Sequence, residues 1–260
     1  MSEEPFFVRE GDLLRPTPVS RGPWSETSLH GRVVIGLLAR EIERAHGGED
    51  FMPARLTVDM YRLPDLSPVE VTTRAVRDGK RIKVIDAEFF SDGVSMARAT
   101  CQLLRRTQNP AGSIWSPPGW GAPGPDEVMP PADGQASLGG MWAVRPISGA
   151  FGSLDVRRLW MSEVRELIGG EPLTPFSRVA LAADFASPFA NAGDAGLAWI
   201  NSDVTLYLHR LPTTKWIGFE VVNHHATDGV AIGECWLHDE AGPIGTATVA
   251  ALAQRARIGS

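Results

Sequence analysis

The sequence predicts an α+β chain made of two copies of one unit, each a helix followed by an antiparallel meander of four strands. Three observations carry this. Each half holds one segment with apolar residues on a single helical face, the spacing that buries one side of a helix. After each helix come four strand-like runs separated by turn residues, including Asp78-Gly79, Asp92-Gly93 and Asp228-Gly229, and Asp-Gly pairs favour hairpins. Arg62-Leu63-Pro64 recurs as Arg210-Leu211-Pro212, an offset of 210 − 62 = 148, and a fixed period across elements marks an internal duplication. The same offset sets His30 opposite Arg178 at the expected helix starts and Asp184 opposite Gly36.

In chain order, Thr27 or Ser28 is the expected N-cap of the first helix. Val33, Val34, Leu37, Leu38 and Ile42 form its apolar face, and Gly47-Gly48 ends it. Strands are expected at 55–61, 69–76, 81–89 and 95–104. The second helix is expected at 172–186, with Pro175 in its first turn and Pro188 beyond its end. Its strands follow at 199–208, 216–222, 230–237 and 244–252.

A long helix wrapped by an antiparallel sheet is the hotdog layout, and two in tandem make a double hotdog. The units are set at 1–106 and 141–260. Between them, 107–140 holds seven prolines and seven glycines; Pro lacks a backbone donor and Gly loses entropy on ordering, so this stretch is a linker. Trp115 and Trp120 are expected to pin it to a surface.

Composition narrows the function. The 260 residues are 43% hydrophobic and carry a net charge of −6, the wrong sign for a nucleic-acid binder that must neutralise phosphates. The start has no apolar signal-like core and no apolar run approaches 18 residues, so the reading is a soluble, cytoplasmic chain with no membrane span. Two cysteines, Cys101 and Cys235, exclude a disulfide scaffold and read as core residues. The Gly-x-Ser-x-Gly of nucleophile elbows is missing. Gly119-x-Gly121-x-x-Gly124 spells a dinucleotide fingerprint, but it lies in the linker without a strand before it or a helix after it. His224, His225 and Asp228 resemble metal ligands on paper; adjacent strand residues point to opposite faces, so a solvated turn is the expectation, with no metal and no cofactor.

Several segments together resemble the TesB-like acyl-CoA thioesterases. They are Arg21-Gly22-Pro23-Trp24 through His30-Gly31, then Ala54-Arg55-Leu56-Thr57-Val58-Asp59, Ala182-Ala183-Asp184-Phe185, Asn201-Ser202-Asp203-Val204-Thr205 and His209-Arg210. The resemblance spans 6–104 and 153–255 and rests on the order and spacing of all of these. It implies a fatty acyl-CoA as substrate, with Trp24, His30 and Gly31 among the residues that bind it. It matches Asp184 to the aspartate that activates water. Asn201 stands where relatives carry Thr or Ser, in the role of orienting that water. The family's glutamine near the last strand is absent, Val249 and Ala250 occupying its place.

The residues read on their own agree in part. Asp184 lies among Val179, Ala180, Leu181, Ala182, Ala183 and Phe185, where a carboxylate is costly unless paired or used; a helix aspartate turned to water is the competing reading. Thioester hydrolysis asks for an oriented water, a base and an oxyanion site, which a carboxylate and helix N-terminal N–H groups can supply. With a net charge of −6, CoA phosphates need a local basic patch, for which Arg157 and Arg158, or Arg77, Lys80 and Arg81, are candidates. Two alternatives stay open. One is a catalytically weak acyl-CoA binding protein of the same fold. The other is a hotdog hydratase or dehydratase, which would want an Asp/His pair, and no histidine lies within 20 residues of Asp184. A homo-oligomer, a dimer first, is the expected assembly.

Overall fold

A computed structural model of the chain describes residues 3–131 and 142–254. The first half runs β1 (Phe7–Glu10), β2 (Leu13–Pro16), α1 (Gly31–His46), β3 (Phe51–Met60), β4 (Val69–Asp78), β5 (Ile82–Ser91) and β6 (Val94–Arg105). The second runs β7 (Trp142–Ser148), β8 (Arg158–Glu163), α2 (Pro175–Ala183), α3 (Ala186–Asn191), β9 (Trp199–Asn201), β10 (Asp203–Leu208), β11 (Ile217–Thr227), β12 (Val230–Asp239) and β13 (Gly242–Ala253). All strands join one sheet in the order β1-β2-β4-β5-β6-β3-β10-β13-β12-β11-β8-β7, with β9 alongside β13, and every pairing between these strands is antiparallel. This is the expected double hotdog, α1 wrapped by one half of the sheet and α2–α3 by the other.

The halves meet edge to edge through β3 and β10, where Leu56 faces Leu206 and Thr57 faces Thr205. Pairing each half's open edge with its duplicate satisfies backbone groups that would otherwise recruit another chain. The Thr205 hydroxyl donates to the Thr57 hydroxyl at 3.3 Å. These two residues are related by the offset of 148, so the pseudo-two-fold axis of the duplication passes between them. The offset also holds for both bounds of β5 against β12 and of β6 against β13.

It does not hold for the helices. Their N-caps are His30 and Thr174, an offset of 174 − 30 = 144, so Arg178 is not the counterpart of His30. Measured from the caps, Asp184 corresponds to Arg40 and not Gly36. The helical stretch of the second half is one residue longer, and its connection to the first strand, 192–198, has seven residues against four at 47–50. Insertions in connections shift the period without disturbing the strands.

The second helix differs from expectation for a definable reason. A capping box between Thr174 and Ser177 and Pro175 at N1 start α2. Pro188 lies inside α3, not beyond the helix. Having no N–H and clashing with the carbonyl four residues back, it denies Asp184 an ordinary helical partner, and the Asp184 carbonyl accepts from Ser187 N–H at 3.1 Å instead. The helix breaks there.

Of the Asp-Gly pairs, Asp92-Gly93 and Asp228-Gly229 both take positive φ, the mirror-image turn that suits hairpin twist. Asp78-Gly79 does not, because 79–81 forms a three-residue connection. His224 and His225 lie within β11, not in a turn. The strands β1, β2, β7 and β8 were not expected. Among the described residues 106–131 there is no helix or strand, the Gly119–Gly124 fingerprint included; the rest of the linker, 132–140, lies outside the described residues. The linker is attached through Trp120, stacked on His238 with ring centroids 4.3 Å apart and edge-on to Trp160; the Trp160 indole N–H donates to Pro123 O at 2.9 Å. Trp115 is 83% exposed and pins nothing.

Candidate active site

The break at Pro188 leaves Asp184 at the end of α2, 6% exposed. Each carboxylate oxygen has one side-chain neighbour. Asn201 Nδ2 donates to Oδ1 at 3.1 Å and also reaches Asp203 O at 3.4 Å. His30 Nδ1, from the other half of the chain, lies 3.3 Å from Oδ2. The Arg32 backbone N–H points at the same ring nitrogen at 3.3 Å. The Nδ1 that accepts the Arg32 N–H as the cap of α1 cannot at the same time donate to Asp184, so one tautomer of His30 satisfies one of these contacts and the other tautomer the other.

His30 is the N-cap of α1 and Gly31 its first residue, so the carboxylate lies at the positive end of a 16-residue helix. The approach is close: a Cβ on Gly31 would come within 3.1 Å of both Asp184 oxygens. Behind the site, buried Arg32 donates to Glu163 Oε2 at 2.7 Å, its guanidinium between the rings of Phe6 and Trp142. Burial pulls Arg32 down to about 10, while the charges of Glu163 and Asp184 work the other way. Burial pushes Glu163 up, opposed by Arg32. Trp142 also meets His30 edge-on, centroids 6.0 Å apart.

Trp24, His30, Gly31, Asp184 and Asn201 all line one cavity of about 190 Å³. Five of the residues singled out in the sequence are thus brought together from both halves. The condition that a histidine lie within 20 residues of Asp184 was the wrong filter, since the pair forms across the duplication. Arg32 was also missed; its visible signal was a charge inside an otherwise apolar run. A larger open groove of about 840 Å³ lies along β3–β6, where Arg74 pairs with Asp86 and Arg98 with Asp59.

Arg157 and Arg158 are not part of the cluster. Arg157 is buried, its guanidinium donating to the carbonyls of Ala190 and Ala192 at the end of α3. Arg158 is engaged with Glu220, Nε to Oε1 at 2.8 Å. Both have partners within the protein, and neither lines the cavity that holds Asp184. Arg77, Lys80 and Arg81 are exposed near the far end of α1, where Lys83 reaches His46 O, about 24 Å of helix from Gly31.

The register of β13 shows which of its residues lies beside Asn201. Asn201 pairs with Ala251, and directly opposed residues share a face. Val249, two residues along, shares the buried face of Ala251, whereas Ala250 points to the other side. Ala251, not Ala250, is the β13 position beside Asn201.

Residues 20–104 match the family model of the acyl-CoA thioesterase N-terminal domain and residues 120–252 that of the acyl-CoA thioesterase C-terminal domain. No curated protein matches the sequence. Among solved structures, the fold resembles a tesB protein from Mycobacterium avium subsp. paratuberculosis, with a TM-score of 0.72, 15% identity and 96% of each chain covered. It resembles a hot dog fold protein of unknown function from Alicyclobacillus acidocaldarius, with a TM-score of 0.71, 14% identity, and 97% of this chain and 96% of that one covered. The acyl-CoA thioesterase II TesB2 of Mycobacterium marinum gives a TM-score of 0.65 at 14% identity over 95% of each chain.

Proposed function

Because the chain belongs to the acyl-CoA thioesterase family, we propose that it hydrolyses an acyl-CoA thioester to free acid and CoA with a water activated by Asp184. The observation that carries this reading is a buried carboxylate with a neighbour on each oxygen, set in the wall of a cavity at a helix N-terminus. Asn201 and His30 fix the carboxylate plane and leave a lone pair on each oxygen for water. As the water oxygen bonds to the thioester carbon, its proton passes to Asp184. The carbonyl oxygen gains charge at the positive end of α1, and Gly31 brings no side chain into its approach. Collapse breaks the carbon–sulfur bond, and the proton held by Asp184 goes to the departing thiolate.

The His30–Asp184 pair supports a second reading, addition of water to a 2-enoyl-CoA by acid–base chemistry at the same groups. A parallel assay separates them. Hydrolysis releases a thiol from saturated acyl-CoA; hydration consumes the enoyl absorbance and releases none. Thiol release from saturated substrates is the expected result. Tight binding with neither reaction would leave the chain a binding protein.

A further inference from the structure

Resting on the hydrolytic reading, we propose that this site takes short acyl groups, up to about six carbons, and that Val34 and Ala97 set the limit. The cavity has a polar wall and an apolar end. Asp184, Asn201 and His30 define the polar wall, where the thioester carbon must lie. Its apolar lining includes Leu29 from before α1, Val34 from α1 and Ala97 from β6, each 1% exposed or less. These three belong to the packed core of the first half, so they are backed by protein, and interiors packed to crystal density do not yield to extra methylenes without strain.

Size sets the number. A closed apolar cavity of about 150 Å³ holds a six-carbon ring; this one has about 190 Å³, and part of it must house the attacking water and the thioester itself. A longer chain would have to turn outward across Tyr61, Leu63 and Leu252, exposed apolar residues that also line the cavity. There it would lie largely in water, and extra carbons would gain little. Each methylene that does enter is worth about a fourfold gain in kcat/KM.

The test is a chain-length series from acetyl-CoA to palmitoyl-CoA, with kcat/KM from thiol release. The expected profile rises severalfold per methylene to about six carbons and then breaks. Val34→Ala moves the break one or two carbons longer, and Ala97→Leu moves it shorter. A wild-type profile that climbs past ten carbons overturns the proposal, and so does an unmoved break in variants that melt at the wild-type temperature. If either variant fails to fold, the wild-type profile decides. If no thioester is cleaved, the hydrolytic reading fails, and calorimetric affinities for the same series then judge the cavity alone: levelling at about six carbons keeps the size limit, whereas a continued rise, or no binding at any length, overturns it.

Discussion

Asp184 is an aspartate in an apolar helix whose carboxylate is neither solvated nor paired to a neighbour in sequence. Its neighbours, Asn201 and His30, lie 17 residues ahead and 154 behind. The cost of placing a carboxylate there was legible from the surrounding residues, and so was Asn201 through the resemblance. His30 in this role was not, because only the folded duplication brings the N-cap of α1 to α2. Two substitutions separate placement from chemistry. Gly31→Ala puts a methyl group about 3 Å from both oxygens, and a displacement near 1 Å costs on the order of 10²-fold; kcat/KM for thiol release should fall by that order while the melting temperature holds. Asn201→Ala removes one donor and leaves His30, so a smaller loss, about tenfold, is expected in the same assay. A Gly31→Ala enzyme as fast as wild type would show that the carboxylate position is not critical.

Among the elements, the long central strands could be read from their alternation and turns, and the edge strands could not. β1 and β2 are four residues each, too short to show a period. β7 contains Pro146, which argues against a central strand but is tolerated at the end of a sheet, where β7 lies. The helix break is a second case: Pro188 was legible as a breaker, but it acts from within the first turn of α3 on the carbonyl of Asp184. Pro188→Ala restores a donor and should let the helix run on, turning Asp184 away from Asn201. The expected outcome is a kcat/KM lowered tenfold or more with stability unchanged or slightly raised, checked by kinetics beside thermal melts. At β13, Ala251→Gln sets an amide on the face that holds Asn201 and should raise turnover; Ala250→Gln, pointing to the other face, should not.

The whole molecule is one sheet with two helical units inside it, and its seam was foreshadowed by the offset of 148, although the exact pairing of Thr57 with Thr205 could not be read from sequence. Besides the β3–β10 ladder, Arg32 of α1 and Glu163 of β8 tie the halves together through a buried ion pair. Removing one partner of such a pair costs about 3–5 kcal/mol, so Glu163→Gln should lower the stability of both halves in a single calorimetric transition; two separate transitions would show that the halves fold independently. Acid acts at another point. Burial, against the pull of Glu220, takes His238 under Trp120 down to about 4 from 6.5. The unfolded chain therefore binds this proton first, and stability is lost as pH falls from 6.5 toward 4. His238→Phe, which keeps the stack, should flatten that part of the melting-temperature profile.

Because the two halves supply His30 and Asp184 to one cavity, the proposed hydrolysis needs the whole molecule, and Asp184→Asn tests that proposal most directly. The substitution keeps shape and removes the proton acceptor. Thiol release from the best acyl-CoA should fall about 10²–10⁴-fold, with calorimetric affinity for that acyl-CoA nearly unchanged. Equal hydrolysis by Asp184→Asn and wild type would contradict the account and leave Asp184 a structural residue.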